Sequence, residues 1–267
     1  MRWKFDVVIV SDLHLGARNA RTQEMMDFLQ AIETNRLIIN GDIFECPRLG
    51  GLKTQHVQVL EALRNFERRA ELTWLIGNHD PSPDWFRGIL GIEIEEQTSF
   101  RVSGRQYLVA HGHRWDRAMR LPWPIIRSAD AIYHAFQLLD PTHKLARGLK
   151  AKSKRFLKVV ERLQRKAATY AKLNDYDGVV LGHTHTLHDD YENGIHCLNS
   201  GCWTERPASF VGVRHGAVRT YVWDGEVRQK SNVQAGQWLS MSDFTPVLPC
   251  FPGPVTAAQT AATQEAT

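Results

Sequence analysis

The sequence predicts an α/β fold: a parallel sheet covered by helices, followed by a region of antiparallel strands. Short, continuous apolar runs rich in β-branched residues occur at 6–10 (DVVIV), 36–40 (RLIIN), 72–76 (LTWLI) and 178–181 (GVVL). Such runs suit strands buried on both faces. The first three alternate with amphipathic helical segments, the order expected of a helix-covered parallel sheet. Later runs are separated by Ser103-Gly104 and Asp224-Gly225, which are turn signals between antiparallel strands.

Residues 6–10 supply the first strand. After a polar turn, 22–33 place Met25, Met26, Leu29 and Ile32 at helical spacing. The second strand, 36–40, ends in Gly41-Asp42. A second helix is expected over 56–70 through Val57, Leu60, Leu63 and Phe66. The third strand, 72–76, ends in Gly77-Asn78-His79-Asp80-Pro81. Segments 99–102 and 106–110 flank Ser103-Gly104-Arg105 as a hairpin, and the second delivers His111-Gly112-His113.

Residues 121–170 read as two helices. Pro124 suits a first helical position, and Ile125, Ala129, Ile132, Tyr133, Phe136 and Leu139 form one stripe before Asp140-Pro141 breaks it. The second keeps Leu149, Phe156, Val160 and Leu163 on one side, with Lys150, Lys154, Arg155, Lys158, Arg162 and Arg165 around the rest. Residues 178–181 end in Gly182-His183-Thr184-His185, and 194–198, 208–213 and 217–223 follow as antiparallel strands. Residues 235–267 hold no Lys or Arg and are rich in Pro, Ala and Thr, so a mostly disordered tail is expected. The expected organisation is one domain over 1–234, carrying a helical basic insertion or lid at 114–172.

With 43% hydrophobic and 23% charged residues, the composition excludes an intrinsically disordered chain. No apolar run approaches the roughly 20 residues that cross a bilayer. The opening MRWKFDVVIV lacks the order of a signal peptide. Cys46, Cys197, Cys202 and Cys250 have neither zinc-knuckle spacing nor the density of a disulfide scaffold. A reducing cytoplasm is the expected location. The net charge of +4 conceals an asymmetry, because 114–172 carry 15 Lys and Arg against four acids. That block reads either as a solvated helical face or as a surface for phosphate-bearing ligands, anionic lipid or nucleic acid.

The chemistry sits at strand ends. Asp12 and His14 follow the first strand, Asp42 the second, Asn78 and His79 the third, His111 a fourth, and His183 with His185 a fifth. Open α/β sheets bind ligands beyond the carboxyl ends of their strands, so these residues converge by topology. Any one has a bland reading as a turn, cap or core residue. Together they offer the nitrogen and oxygen donors that hard or borderline divalent cations take, with no cysteine among them.

The order Asp12-x-His14, Gly41-Asp42, Gly77-Asn78-His79-Asp80, His111, Gly182-His183-x-His185 resembles the calcineurin-like metallophosphoesterase superfamily, over roughly residues 6–225. The resemblance implies a four-layer αββα sandwich of two mixed sheets and a two-metal centre. One ion would be held by Asp12, His14, Asp42 and His185, the other by Asp42, Asn78, His111 and His183, with Asp42 bridging. It also implies that His79 faces the phosphate, stabilising charge or protonating the leaving oxygen. Glu45 is a candidate to orient the His79 ring, and His113 to act near the metals or to support its turn.

Within that superfamily the chain is most similar to the UDP-2,3-diacylglucosamine pyrophosphatase branch. The residues that carry this are Ser11-Asp12-Leu13-His14-Leu15, Gly41-Asp42-Ile43-Phe44-Glu45, the helical insertion, Asp177-Gly178-Val179-Val180-Leu181-Gly182-His183-Thr184-His185 and Asn199-Ser200-Gly201-Cys202-Trp203-Thr204-Glu205. The branch implies water attack at the α-phosphorus of UDP-2,3-diacylglucosamine, giving UMP and 2,3-diacylglucosamine 1-phosphate for lipid A. It also implies Mn²⁺ (Fe or Zn being alternatives) and peripheral contact with an anionic inner membrane. Trp115, Trp123, Ile126, Tyr133 and Phe136 are candidates to line an acyl groove, and Lys150, Lys154, Arg155 and Lys158 to meet the diphosphate or anionic head groups. Members of the branch carry Arg where His79 stands, and often an Asp-containing turn at His113. Another phosphoester substrate therefore stays open, a nucleic acid included, although no aromatic–basic stripe suited to base stacking is present. A metal-free binding scaffold is the remaining alternative.

Overall fold

The protein is described from a computed structural model, in which residues 2–45, 51–116, 154–230 and 244–247 are described. The strands are β1 (Trp3–Val10), β2 (Ile32–Asn40), β3 (Glu71–Leu75), β4 (Ile94–Glu95), β5 (Gln97–Val102), β6 (Arg105–Ala110), β7 (Gly178–Leu181), β8 (His188–Glu192), β9 (Ile195–Asn199), β10 (Ala208–Arg214), β11 (Ala217–Trp223), β12 (Val227–Lys230) and β13 (Phe244–Pro246). The helices are α1 (Thr22–Ala31), α2 (Thr54–Phe66) and α3 (Lys154–Leu173), with shorter helical turns at Pro83–Leu90 and His113–Trp115.

Two mixed sheets result. The first runs β13-β12-β11-β10-β1-β2-β3-β4, and the second β5-β6-β7-β9-β8. β1, β2, β3 and β4 are parallel, while β10 pairs antiparallel with β1. In the second sheet β6, β7 and β9 are parallel, and β5 and β8 close the edges antiparallel.

The alternation of side chains along a strand sorts the apolar runs into layers. Val8 and Val10 of β1 and Leu37 and Ile39 of β2 face Met25, Phe28 and Leu29 of α1 and Val59 and Leu63 of α2. The residues between them, Ile9 and Ile38, turn inward and meet Tyr107, Val109, Val180 and Leu198 of the second sheet. On that sheet's far side Leu108, Val179 and Leu181 receive Leu163, Ala167, Ala168 and Ala171 of α3. The order is helix, sheet, sheet, helix, as expected. Runs apolar at every position are needed because each sheet is covered on both faces.

Several boundaries differ from the sequence expectation. α1 ends at Ala31 and β2 begins at once, because the parallel register from Trp3↔Ile32 to Val10↔Ile39 draws Ile32, Glu33 and Thr34 into the sheet. α2 spans 54–66 rather than 56–70, and Arg68, Arg69 and Ala70 turn back toward Asn65 and Phe66. The sequence carries no strand signal at β8, because HDDYE is an edge strand with little apolar character. Asn193-Gly194, both at positive φ, marks its hairpin to β9. β12 and β13 also went unpredicted, and β13 falls inside 235–267; the rest of that tail lies outside the described residues.

Of the expected insertion, only 114–116 and 154–172 are described. From Val160 onward α3 is a layer of the sandwich, with Val160, Leu163, Ala167 and Ala171 buried, so its apolar stripe fastens it to the second sheet. Lys158, Arg162 and Arg165 remain exposed. Lys150, Trp123, Ile126, Tyr133 and Phe136 lie outside the described residues, and Lys154 and Arg155 are described only as part of the α3 backbone.

Candidate metal centre

The loops after β1 and β2 prolong the parallel pairing beyond the strands. Asp12 N donates to Gly41 O at 3.0 Å, His14 N to Asp42 O at 3.0 Å, and Leu15 N to Ile43 O at 2.8 Å. The second sheet repeats the device, since Gly182 N donates to His111 O at 3.0 Å. Asp12, His14, Asp42, His183 and His185 all adopt left-handed backbone conformations, with φ of 56°, 46°, 51°, 68° and 55°. Each such conformation costs about 1–3 kcal/mol and concentrates at functional sites. The loop-to-loop hydrogen bonds hold it here. Gly77 is demanded by close approach, because a Cβ there would lie 2.1 Å from Asp42 Oδ1.

Two buried carboxylates organise the donors. Asp12 Oδ2 accepts from His183 N at 3.1 Å, which leaves Oδ1 3.1 Å from His185 Nε2 and 3.8 Å from His14 Nε2. Asp42 is arranged likewise. Its Oδ1 accepts from His79 N at 2.9 Å, so Oδ2 lies 3.7 Å from His14 Nε2 and 3.3 Å from His111 Nε2. Besides His14–Glu45–His79, the structure forms two donor groups around the inward carboxylates, Asp12–His14–His185 and Asp42–His111–His183, with the ligand atoms of each within 4.8 Å of one another. Asp42 Oδ2 stands between the two.

The far edges of the imidazoles are engaged as those of metal-ligating histidines are. His111 Nδ1–H donates to Asn40 O at 2.8 Å, leaving Nε2 directed at Asp42. The Glu45 carboxylate lies 2.7 Å from His14 Nδ1, and Asp116 Oδ2 is 3.0 Å from His183 Nε2. Asn78 Oδ1 and His111 Nε2 are buried without a hydrogen-bond partner among the described residues. Two inward carboxylates, an orphaned amide oxygen and imidazole lone pairs fit divalent cations held by oxygen and nitrogen. Among the described residues the thiols Cys197 and Cys202 do not compete, because burial pushes each up to about 12.

The electrostatics point the same way. Burial would raise the Asp12 carboxyl, yet His185, His14 and His111 hold it well below the usual range. Asp42 is likewise held down against its burial, chiefly by His111. Burial opposes protonation of His111, but Asp42 more than offsets this and lifts it to about 9; His14 is raised by Asp12 and Glu45 in the same way. The pocket attracts positive charge.

Of the other expected site residues, His79 lies beside this group, its ring 5.1 Å from that of His14. Its Nδ1 is 3.0 Å from the backbone carbonyl of Glu45. Glu45 thus touches the His79 ring through its backbone carbonyl, while its carboxylate meets His14. A peptide oxygen is the nearer partner because the chain at Glu45 is tied back to Leu15 O. His113 packs on His111 at 5.6 Å, and burial with the charges of His111 and His183 brings it down to about 4.

Three supporting residues went unassigned in the sequence. Asp80 accepts from Phe44 N at 3.0 Å and Gly77 N at 2.8 Å, tying the loops after β2 and β3. Asn199 donates to Gly182 O at 2.7 Å and Thr184 Oγ1 at 3.2 Å, bracing the turn of His183 and His185. Asp116 reaches His183. Asp80 and Asn199 stood inside recognised motifs, whereas nothing in the sequence marked Asp116.

Two face-to-face mixed sheets that gather carboxylate and imidazole donors at joined strand ends define the architecture of a metal-dependent hydrolase. The chain belongs to the calcineurin-like phosphoesterase superfamily, whose domain model matches residues 5–222. No curated protein matches the sequence. Similar solved structures include a single mutant of Vps29 from Entamoeba histolytica, 18% identical, covering 84% of this chain and 96% of that one with a TM-score of 0.47. The phosphoesterase Yfce from E. coli is 18% identical, covering 80% and 90% with a TM-score of 0.44. An archaeal phosphodiesterase is 16% identical, covering 81% and 98% with a TM-score of 0.41.

Proposed function

We propose that this chain is a two-metal hydrolase of a diphosphate, with UDP-2,3-diacylglucosamine as substrate and UMP and 2,3-diacylglucosamine 1-phosphate as products. The observation that carries the two-metal reading is the position of Asp42 Oδ2, 3.7 Å from His14 Nε2 in one donor group and 3.3 Å from His111 Nε2 in the other. Asp12, His14, Asp42 and His185 would hold one cation, and Asp42, Asn78, His111 and His183 the second. Mn²⁺ suits this donor set, with Fe or Zn as alternatives.

Divalent ions bound there supply Lewis acidity and ionise water near neutral pH. The chain's own residues place the groups around them. Asp12 and Asp42 each commit one oxygen to a backbone N–H and keep the other for a cation, which fixes the direction of both carboxylates. With His79 Nδ1–H donated to Glu45 O, the ring's Nε2 is the atom that stabilises the phosphoryl oxygens or carries the proton to the departing oxygen. In the hydrolysis the water oxygen bonds to the α-phosphorus and the bond from phosphorus to the bridging oxygen breaks. That oxygen leaves on the sugar 1-phosphate.

Support for the acylated, anionic substrate comes from the motif resemblance to that branch and from the exposed cations Lys158 and Arg162 on α3, whereas Arg165 faces Glu192 at 3.7 Å. Lys158 and Arg162 would meet the diphosphate or an anionic membrane surface at close range. No helix among the described residues is long and apolar enough to cross a membrane.

The test is a substrate panel on purified protein with Mn²⁺, with metal content measured on the same sample. UMP release from UDP-2,3-diacylglucosamine, abolished in Asp42→Ala, is the expected result. Turnover of bis(p-nitrophenyl) phosphate without the lipid would retain the hydrolase and discard this substrate. Cleavage of DNA or RNA instead would make the chain a nuclease, and no turnover with no bound metal would end the reading.

A further inference from the structure

Asp116 has no place in the ligand set above, yet its carboxylate oxygen Oδ2 lies 3.0 Å from Nε2 of His183. The two side chains are 12% and 9% exposed, so water competes poorly for the contact. An ionised carboxylate can only accept, so His183 Nε2 carries the proton and donates. In the neutral ring that leaves the lone pair on Nδ1. A rotated ring would break the bond and lose the lone pair's direction.

The carboxylate is itself held in place. The turn at His113–Trp115 closes through Trp115 N to Gly112 O and Asp116 N to His113 O, both 3.0 Å. Helix α3 clamps this turn, since Lys166 Nζ donates to Trp115 O at 2.8 Å and the Trp115 ring packs on Tyr170 at 5.5 Å. Arg114 lies over both rings, 5.0 Å and 4.8 Å from their centroids, and donates to Gln97 Oε1 at 2.9 Å. A helix from the basic region thereby sets the position of a donor at the strand ends.

We infer that Asp116 is a positioning residue for His183, holding the ring in the Nε2–H tautomer and in the orientation that presents Nδ1 to a cation. The cation part rests on the metal centre proposed above; the tautomer part does not. Carboxylates behind metal-bound histidines typically contribute about 10–100-fold to metal affinity.

The experiment compares wild type, Asp116→Ala and the near-isosteric Asp116→Asn. Long-range ¹H–¹⁵N spectra of the metal-free proteins report the His183 tautomer, and calorimetric titration with MnCl₂ reports cation affinity. The wild type is expected in the Nε2–H form. Asp116→Ala is expected to shift toward Nδ1–H and to weaken one of two Mn²⁺ sites by about 10–100-fold, while Asp116→Asn retains the tautomer and loses several-fold in affinity. An unchanged tautomer in Asp116→Ala, or Mn²⁺ affinity unchanged in both variants, overturns the assignment. A tautomer shift in a protein that binds no Mn²⁺ upholds the orienting contact and removes the metal centre. Should Asp116→Ala not fold, Asp116→Asn decides, and Mn²⁺ affinity equal to wild type refutes the role.

Discussion

The carboxylate of Glu45 lies 2.7 Å from Nδ1 of His14, and both side chains are largely shielded from water. An anion at that edge keeps the proton on Nδ1 and leaves Nε2, 3.1 Å from His185 Nε2, with its lone pair toward the pocket. Two imidazole nitrogens facing each other so closely repel unless a proton or a cation lies between them. Glu45→Ala is expected to weaken one Mn²⁺ site by about tenfold or more, with Glu45→Gln intermediate. Calorimetric titration checks this, and affinities equal to wild type would mean that Glu45 does not orient His14.

His79 meets Asp42 through its backbone N–H, and its ring lies beside His14 and Glu45. His79→Ala is expected to keep both ions and the melting temperature while kcat falls about 10²–10⁴-fold, the usual yield of general acid catalysis. Loss of bound metal in this variant would instead make His79 a ligand. Metal content and steady-state kinetics on one preparation separate the two.

At Gly77 there is no room for a side chain, because an added Cβ would be 2.1 Å from Asp42 Oδ1 and 2.2 Å from Asp42 N. Gly77→Ala must displace the loop after β2. It is expected to cost about 1–3 kcal/mol of stability, as overpacking does, together with cation binding. Urea denaturation and Mn²⁺ titration would show both losses, and a neutral result would contradict the packing.

Asp189 ties the sheets together away from the metal centre. Its Oδ1 is 2.8 Å from His196 Nε2, its Oδ2 accepts from Thr220 N at 3.1 Å, and His196 Nδ1 is 3.0 Å from Tyr107 OH. Burial opposes its ionisation, but His196 and Thr220 hold the carboxyl below its ordinary value of 3.8. The unfolded chain therefore binds the proton more tightly, and stability rises with pH through this range. The contribution is complete above the unfolded value and fades as pH falls through the lower folded one. Asp189→Asn is expected to destabilise at neutral pH by about 1.5–3 kcal/mol, with the gap from wild type narrowing below about pH 4. Urea midpoints across pH test this, and a constant gap would exclude the linkage.

The exposed cations of α3 yield a substrate prediction. Lys158→Gln with Arg162→Gln is expected to reduce turnover of UDP-2,3-diacylglucosamine at least several-fold while sparing bis(p-nitrophenyl) phosphate, which has no acyl chains or diphosphate to hold. Equal effects on both would leave those charges as solvated surface.

Much of this molecule was legible in the chain itself. The fully apolar runs of β1, β2, β3 and β7 announce strands covered on both sides, and the polar residues that end them announce where a ligand sits. Edge strands were illegible: β8 reads HDDYE because one side of it meets solvent, and its place comes only from pairing with β9. The helix at 154–173 was expected as part of a lid, since its cations dominate the text, yet its small residues Ala167, Ala168 and Ala171 lie against β7 and β9.

Residue types and their order along the chain determined the layered fold, the family and which side chains gather at the strand ends. Only the tertiary structure decided how those side chains are held. Glu45 turns its carboxylate to His14, Asp116 meets His183, and Asp42 keeps a single oxygen inward because His79 N occupies the other. The physical reason is that strand patterning depends on local periodicity. The partner of a buried polar atom is set instead by loops from distant segments that must satisfy one another once water has gone.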